Sequence, residues 1–422
     1  MTARNSAVFG LRRSVQGRVC AVFSCMDDSQ PLRLPYIVMT ERKYKVLVNT
    51  STLMQGGGLQ VATAFIEHAL KDPDAQGWEY MISQTAAEEL AGFGIDISAD
   101  YFHVFEKSPA RHADERKRVL DIEARMQPDL VFTLFGPAYV RFSSRHLCGV
   151  ADPWVTHSSW LAFKTLGFSA ATLTRIGTMI WKALWWKRAD YWWTEAPVAR
   201  DGLISRLRCD PDRVFIIPNT AGPQFERNVV RAEFPRNEKV KILCLSAYYR
   251  HKDLEIIPDV VLEIEKLRPE LDFEFTVTLP TEVPAVQAII DRAERIGALH
   301  RINNLGRIPV SETPPLYGQS HMTFLPSLLE VFSAVYPESL STGTPLVTTD
   351  LRFARDVCKD AAAYFEPTNA RSAAAQIVRL SEDKDYWQGI SARGKEVFNG
   401  LPDAGQKWQL QKDVILRVAG IE

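Results

Sequence analysis

The segment 321–349 most restricts what this chain can become. His321-Met322-Thr323-Phe324-Leu325-Pro326 is a largely apolar run that reads as a buried strand, and Pro345-Leu346-Val347-Thr348-Thr349 reads as a second. The piece between them starts as a loop and becomes a helix. Pro337 suits a first helical turn, where its missing N–H costs nothing, and Gly343 suits a C-terminal stop. Strand, loop, helix and strand in this order form the unit of a doubly wound parallel sheet.

That unit decides where a ligand would sit, because open α/β sheets bind at the carboxyl ends of strands, against helix N-termini. Two carboxylates fall there. Glu330 lies in the loop after the strand. Glu338 lies about one residue inside the helix, where the dipole stabilises negative charge. The N–H groups of Ser333, Ala334 and Val335 precede the helix and can face an anion such as a diphosphate. A carboxylate beside such a site suits hydroxyls, and one that accepts two of them suits a ribose diol. A plainer reading also fits the spacing alone: Glu338 steadies its helix and Glu330 is a solvated loop charge.

The same alternation recurs along the chain. Strands are expected at 45–50, 78–84, 101–105, 129–134, 190–194 and 214–217. Helices are expected at 59–70, 111–126, 172–188 and 196–206, and a loop-rich stretch ends near Trp154 and His157. Over 225–238 charge rises and periodicity is lost, which marks a linker. The pattern restarts with a strand at 241–246 and runs to a last helix at 407–419. With 422 residues the chain is too long for one typical core. Two Rossmann-like halves are expected, one at 41–225 completed by the C-terminal helix 407–422, the other at 226–404, facing each other across a cleft that is the default ligand site. Residues 1–40 carry five arginines, a short apolar patch and no periodicity. They are expected to be a disordered extension, or one that precedes the true start at Met39.

Charge and cysteines exclude other classes. A net charge of −1 offers no bulk attraction to nucleic acid. Cys20, Cys25, Cys148, Cys209, Cys244 and Cys358 are scattered singly, without a CxxC or a His/Cys cluster, and read as reduced, buried thiols of a cytosolic protein. No apolar run reaches the roughly 20 residues of a membrane span.

Four further features carry chemistry. Gly56-Gly57-Gly58 follows the first strand and opens a helix, where glycines let a ligand approach the backbone. A dinucleotide fingerprint fails there, because Val61 occupies its third small position and the strand at 78–84 ends without an acid. Arg250, His251 and Lys252 follow the strand at 241–246 and form either a diphosphate clamp or a solvated basic turn. His157 sits between small polar residues in a loop, with Asp152 nearby and no metal partner at ligand spacing; a structural role is the plainer reading. Trp181, Trp185, Trp186, Trp192 and Trp193 lie beside Lys182, Lys187 and Arg188. They suit a membrane interface or, as the strand pattern at 190–194 favours, a core helix and strand.

Taken in order, these features resemble the retaining glycosyltransferases of the GT-B fold, family 4. The likeness rests on the Gly-rich loop, on Ile216-Ile217-Pro218-Asn219 as the turn joining two domains, and on the cationic turn with Arg250 and Lys252. It rests most on Pro326-Ser327, Glu330, Phe332, Pro337, Glu338, Gly343 and Pro345, followed by Asp360-Ala361-Ala362-Ala363-Tyr364-Phe365-Glu366-Pro367. Two positions depart from the pattern: the usual Gly-Phe-Gly is Val331-Phe332-Ser333, and the usual Arg ahead of Lys252 is Ala247. The resemblance implies two Rossmann-like domains and transfer of a sugar from a nucleoside diphosphate donor with retention. It implies that Glu338 holds the ribose and that Glu330 lies near the donor sugar. Lys252 and Arg250 would offset the leaving diphosphate, with His157 against the sugar. Gly57, Gly58, Asn219, Ser333, Ala334 and Val335 would line the donor site. It implies no bound metal or other cofactor, a nucleotide sugar as co-substrate, and a glycan or lipid-linked acceptor from bacterial surface polysaccharide or lipopolysaccharide synthesis. It implies a cytoplasmic location, with peripheral contact at the inner face of the membrane as an open alternative. A GT-B epimerase and a non-catalytic nucleotide-sugar-binding protein are the other readings.

Overall fold

A computed structural model describes residues 44–54, 56–167, 169–225, 232–236 and 238–420. The expected extension at 1–40, and residues 226–231 and 237 of the expected linker, lie outside the described residues.

The first sheet comprises β1 (Val46–Asn49), β2 (Glu79–Ser83), β3 (Phe102–Phe105), β4 (Leu130–Thr133), β5 (His146–Gly149), β6 (Tyr191–Thr194) and β7 (Val214–Ile216), in the order β3-β2-β1-β4-β5-β6-β7. The second comprises β8 (Val240–Cys244), β9 (Phe273–Val277), β10 (Ile302–Asn304), β11 (Met322–Leu325), β12 (Leu346–Thr349) and β13 (Ala362–Phe365), in the order β10-β9-β8-β11-β12-β13. Every pairing is parallel, from Val46 opposite Leu130 to Thr323 opposite Leu346. Helices cover both faces, so β1, β4, β11 and β12 are buried throughout and, apart from Asn49 at the end of β1, read as continuous apolar or threonine runs. Each sheet reverses its strand order once, between β1 and β4 and between β8 and β11. Loops leaving those strands diverge, and the crevice between them is the ligand position of such folds.

Among the elements that depart from the sequence expectation are two beside the first sheet's strands. A helix, Gln84–Gly92, starts directly at the end of β2, where the Ser83 hydroxyl accepts from the Ala86 N–H. The stretch expected as loop before Trp154 contains β5, a four-residue strand ending in glycine that shows no periodicity of its own. Pairing with β4 and β6 on its two sides makes it a strand, a tertiary effect that overrides propensity.

The last helix, Ala404–Ala419, returns to the first sheet. Trp408 packs edge-on against Phe65, with ring centroids 5.2 Å apart, and its indole N–H donates to Asp72. Lys412 bridges Asp72 and Asp74 at 2.9 Å each. A second junction joins the halves directly. Asp356 accepts from the Val198 N–H at 2.9 Å and so caps the helix Pro197–Leu207 from the other half, while Arg352 pairs with Asp201. Ala196 and Val198 share one apolar cluster with Leu325 and Val331.

Candidate functional site

The crevice after β8 and β11 gathers the charged residues. After β8 a short turn, Arg250–Lys252, closes at Asp253, whose φ of 51° is a left-handed geometry that aspartate tolerates. The Leu328 N–H donates to the His251 carbonyl at 2.7 Å and pins the loop after β11 onto this turn. Lys252 Nζ thereby lies 3.3 Å from Glu330 Oε1, and the Ser327 hydroxyl donates to the same oxygen at 3.0 Å. Both side chains of the ion pair are largely buried, so Glu330 is not the solvated charge of the plainer reading. Removing either partner of a buried pair is costly, because the survivor stays desolvated.

Glu338 is held differently. The helix Val335–Thr342 begins two residues before Pro337, with Ala334 as its cap, which makes Glu338 its fourth residue rather than its second. Val335 is correspondingly the first helical residue and not part of the preceding loop. Gly343 ends the helix at φ 71°, as a left-handed stop. Glu338 is buried, and the Tyr317 hydroxyl donates to its Oε2 at 2.7 Å. Burial pushes its carboxyl up to about 7, against the opposing pull of the Tyr317 hydrogen bond and the Lys252 charge. The N–H groups of Ser333, Ala334 and Val335 donate to no other described residue, whereas those of Tyr336 and Glu338 already bond to Ser333 and Ala334 carbonyls. Three free donors at a helix start form a receptor for an anion.

The first half reaches into this crevice through His157. The Asp152 carboxylate accepts from the Trp154 N–H and, with Pro153, starts the short helix Pro153–His157, so His157 ends a helix rather than sitting in a loop. Its Nε2 lies 2.7 Å from the Glu330 backbone carbonyl. A carbonyl can only accept, so the proton is on Nε2, and Nδ1 accepts from the Thr156 hydroxyl at 2.8 Å. Burial lowers the imidazole to about 4, with the Glu330 carbonyl opposing, which keeps the ring neutral at pH 7. Beside it Trp154 and Ala162 pack on Leu329, and Trp154 meets the His251 ring edge-to-face at 5.7 Å.

Other expected residues stand apart from this cluster. Gly57 and Gly58 open the helix Gly57–Lys71 at the reversal point of the first sheet, after Gly56 at φ 77°. A Cβ on Gly57 would meet nothing within 4 Å. Arg250 is exposed, and its guanidinium donates to the Thr165 carbonyl at 3.3 Å instead of joining Lys252. Asn219 accepts from Lys407 of the last helix, so its carbonyl oxygen is engaged at the junction between the halves. Val331 does not flank the open backbone: its side chain turns into the apolar cluster with Leu325, Val335 and Tyr336. The Trp-rich stretch divides. Trp186, Trp192 and Trp193 are buried, but the helix Ala170–Trp186 exposes most of its apolar residues and is not a core helix. Two participants carry no signal of their own in the sequence. Tyr317 lies in the short helix Thr313–Gln319, and the Leu328–His251 backbone bond involves no side chain. Among the described residues, no group of three or more His, Cys, Asp and Glu is placed to hold a metal ion. Cys148, Cys209, Cys244 and Cys358 are free and buried.

Residues 226–397 match the family model described as glycosyl transferases group 1, so the second half carries a domain of that kind. One subunit of the phosphatidylinositol N-acetylglucosaminyltransferase of Homo sapiens is 22% identical over 151 residues, 36% of this chain and 30% of the relative. O-antigen chain mannosyltransferase B of Escherichia coli is 27% identical over 106 residues, 25% of this chain and 27% of the relative. The chain thus spans less than a third of the length of these two relatives. The structure of HepE from Anabaena in complex with UDP-glucose aligns with a TM-score of 0.65 at 13% identity, over 89% of this chain and 100% of that one. At such identity the likeness speaks for the fold. Two parallel-sheet α/β domains in this arrangement are the GT-B fold.

Proposed function

We propose that the protein is a retaining glycosyltransferase that moves a sugar from a nucleoside diphosphate sugar to a glycan or lipid-linked acceptor. One observation carries the reading. At the reversal point of the second sheet Lys252 pairs with Glu330 and its charge acts on buried Glu338, the N–H groups of Ser333, Ala334 and Val335 between the two carboxylates have no acceptor among the described residues, and His157 bonds to that loop from the other half. The group 1 match over the same half supports the reaction class, and retention rests on the resemblance of the stretch from Pro326 to Pro345 to the retaining family 4. The relatives' names, an O-antigen chain mannosyltransferase and a phosphatidylinositol N-acetylglucosaminyltransferase subunit, favour a bacterial surface polysaccharide or a glycolipid as acceptor class, and the cytoplasm is proposed as the place of work on the resemblance to family 4 alone.

Each residue then has a physical task. As the glycosidic bond breaks, charge grows on the departing diphosphate. Lys252 and the N–H groups of Ser333, Ala334 and Val335 stabilise it from fixed positions. Arg250 adds positive charge from the rim once it leaves the Thr165 carbonyl. Tyr317 occupies Glu338 Oε2, leaving Oε1 to accept the ribose hydroxyls. Glu330, held by Ser327 and Lys252, orients the hydroxyls of the donor sugar. His157, neutral with its proton on Nε2, holds the first half against the donor loop. Gly57 and Gly58 leave room for the donor from the opposite side, and Asn219 acts from the junction rather than on the ligand. The steps draw only on side chains and backbone of this chain, with no part assigned to a metal.

Incubation with UDP-, GDP- and ADP-sugars and a panel of lipid-linked and free glycans tests the proposal. Nucleoside diphosphate release that depends on acceptor, with the product keeping the donor's anomeric configuration by NMR, is the expected result. An inverted product contradicts retention, and conversion of the donor alone would make the protein an epimerase.

A further inference from the structure

The helix Ala170–Trp186 is built inside out. Its cations point inward: Lys182 pairs with Asp152 at 2.7 Å, and the Arg175 guanidinium lies 5.1 Å from the centre of the Trp154 ring. Its apolar side chains point to solvent, with Leu173 73%, Leu184 59%, Ile180 57%, Trp181 44% and Ile176 39% exposed. These positions recur at helical spacing and form one stripe. A stripe of this kind, on a helix whose polar face is already engaged by the protein, calls for an apolar partner.

Charge identifies the partner. Between Asp152 and Asp190 the sequence holds no acidic residue, and Lys164, Lys187 and Arg188 are exposed around the helix. An apolar stripe rimmed by cations fits a bilayer surface with anionic headgroups. A second copy of the chain fits poorly, because a two-fold contact would set those cations against each other and the segment 153–189 offers no carboxylate to meet them. No helix among the described residues is long and apolar enough to cross a membrane, so the helix lies on the surface rather than spanning it.

We infer that the helix Ala170–Trp186 docks the protein on an anionic membrane surface through Leu173, Ile176, Ile180, Trp181 and Leu184, with Lys164, Lys187 and Arg188 at the headgroups. The docking face is tied to the crevice. Lys182 holds Asp152, Asp152 starts the helix Pro153–His157, and His157 bonds to the Glu330 carbonyl. On the transferase reading above, on which this clause alone rests, the acceptor is carried in the same bilayer.

Vesicle co-sedimentation of the full chain tests the inference. The protein should pellet with phosphatidylglycerol–phosphatidylcholine vesicles, and at least about tenfold less with pure phosphatidylcholine. The double variant Leu173→Glu, Ile180→Glu should lose binding at least about tenfold, while its melting temperature and its stabilisation by UDP stay those of the wild type, since both side chains face solvent. Failure of the wild type to bind anionic vesicles, or equal binding by the variant, overturns the inference. So does a wild-type dimer in light scattering that the variant dissolves, because the face would then belong to a second copy. Nucleotide stabilisation is read separately, so loss of the transferase reading and loss of the docking face are distinguishable.

Discussion

The two sheets reverse strand order at equivalent places, yet the loops that follow carry opposite chemistry. After β8 and β11 the crevice holds a lysine, one buried and one partly buried carboxylate and three N–H groups without an acceptor among the described residues. After β1 and β4 come Gly56–Gly58 and Phe135-Gly136-Pro137, and the charged residues of the second loop, Arg141 and Arg145, follow only further along the chain. The first half contributes polarity from further along, through His157, and presents its apolar helix to the outside. One scaffold, used twice, gives one face suited to a charged leaving group and another suited to shape and surface. Polar sites leave fixed residue types at fixed spacing, whereas apolar contact surfaces resemble core in sequence.

Breaking this asymmetry should hurt most at Lys252. Lys252→Ala removes the cation facing the diphosphate and strands Glu330, and transfer should fall about 100- to 1,000-fold in kcat. A loss under tenfold would mean that the second crevice does not handle the leaving group. Next comes Glu338, whose carboxyl sits at about 7. Below that pH it takes a proton and loses an acceptor for the ribose, so donor affinity should weaken by up to about tenfold per pH unit. Glu338→Gln should flatten this profile. The same shift acts on stability. An acid held protonated to higher pH in the native state than in the unfolded chain favours the fold at low pH, and that advantage is lost as pH rises through about 7. The Gln variant should therefore gain melting temperature relative to wild type as pH rises from the ordinary carboxyl value of 4.5 to about 7, and gain little more above it.

Smaller effects sharpen the comparison. Val331→Ala should cost about 2 kcal/mol in denaturant unfolding with donor KM unchanged, because the side chain fills the core and not the crevice. A shift in donor preference at constant stability would return Val331 to the binding face. Gly57→Ala should change stability by no more than about 0.5 kcal/mol, since its Cβ meets open space, yet raise donor KM by about three- to tenfold if a ligand approaches there. An unchanged KM would detach the first crevice from the donor.

The second half is the more legible in sequence. Pro337 and Gly343 announce a helix, and the runs before Pro326 and after Pro345 announce two strands, because both faces of a parallel sheet are buried. The carboxylates are visible as a spacing, but their states are not. Tyr317 reaches Glu338 across 21 residues, and Glu330 is fixed by a backbone bond that leaves no trace in residue types. The helix start at Val335 falls two residues before the expected one, because capping by Ala334 uses no side chain. β5 escapes a reading by pattern because its strand character comes from neighbours. Arg250 and Asn219 match a pattern by position, and their partners, Thr165 and Lys407, come from distant segments. The helix Ala170–Trp186 reads as core because periodicity identifies an apolar face without saying what covers it.

The central claim is that the crevice at Lys252, Glu330 and Glu338 binds a nucleoside diphosphate sugar. Calorimetric titration of the wild type and of Glu338→Ala with UDP-, GDP- and ADP-sugars tests it most directly. At least one should bind the wild type, and the variant should bind it at least about tenfold more weakly. No binding by the wild type, or equal binding by the two proteins, would contradict it.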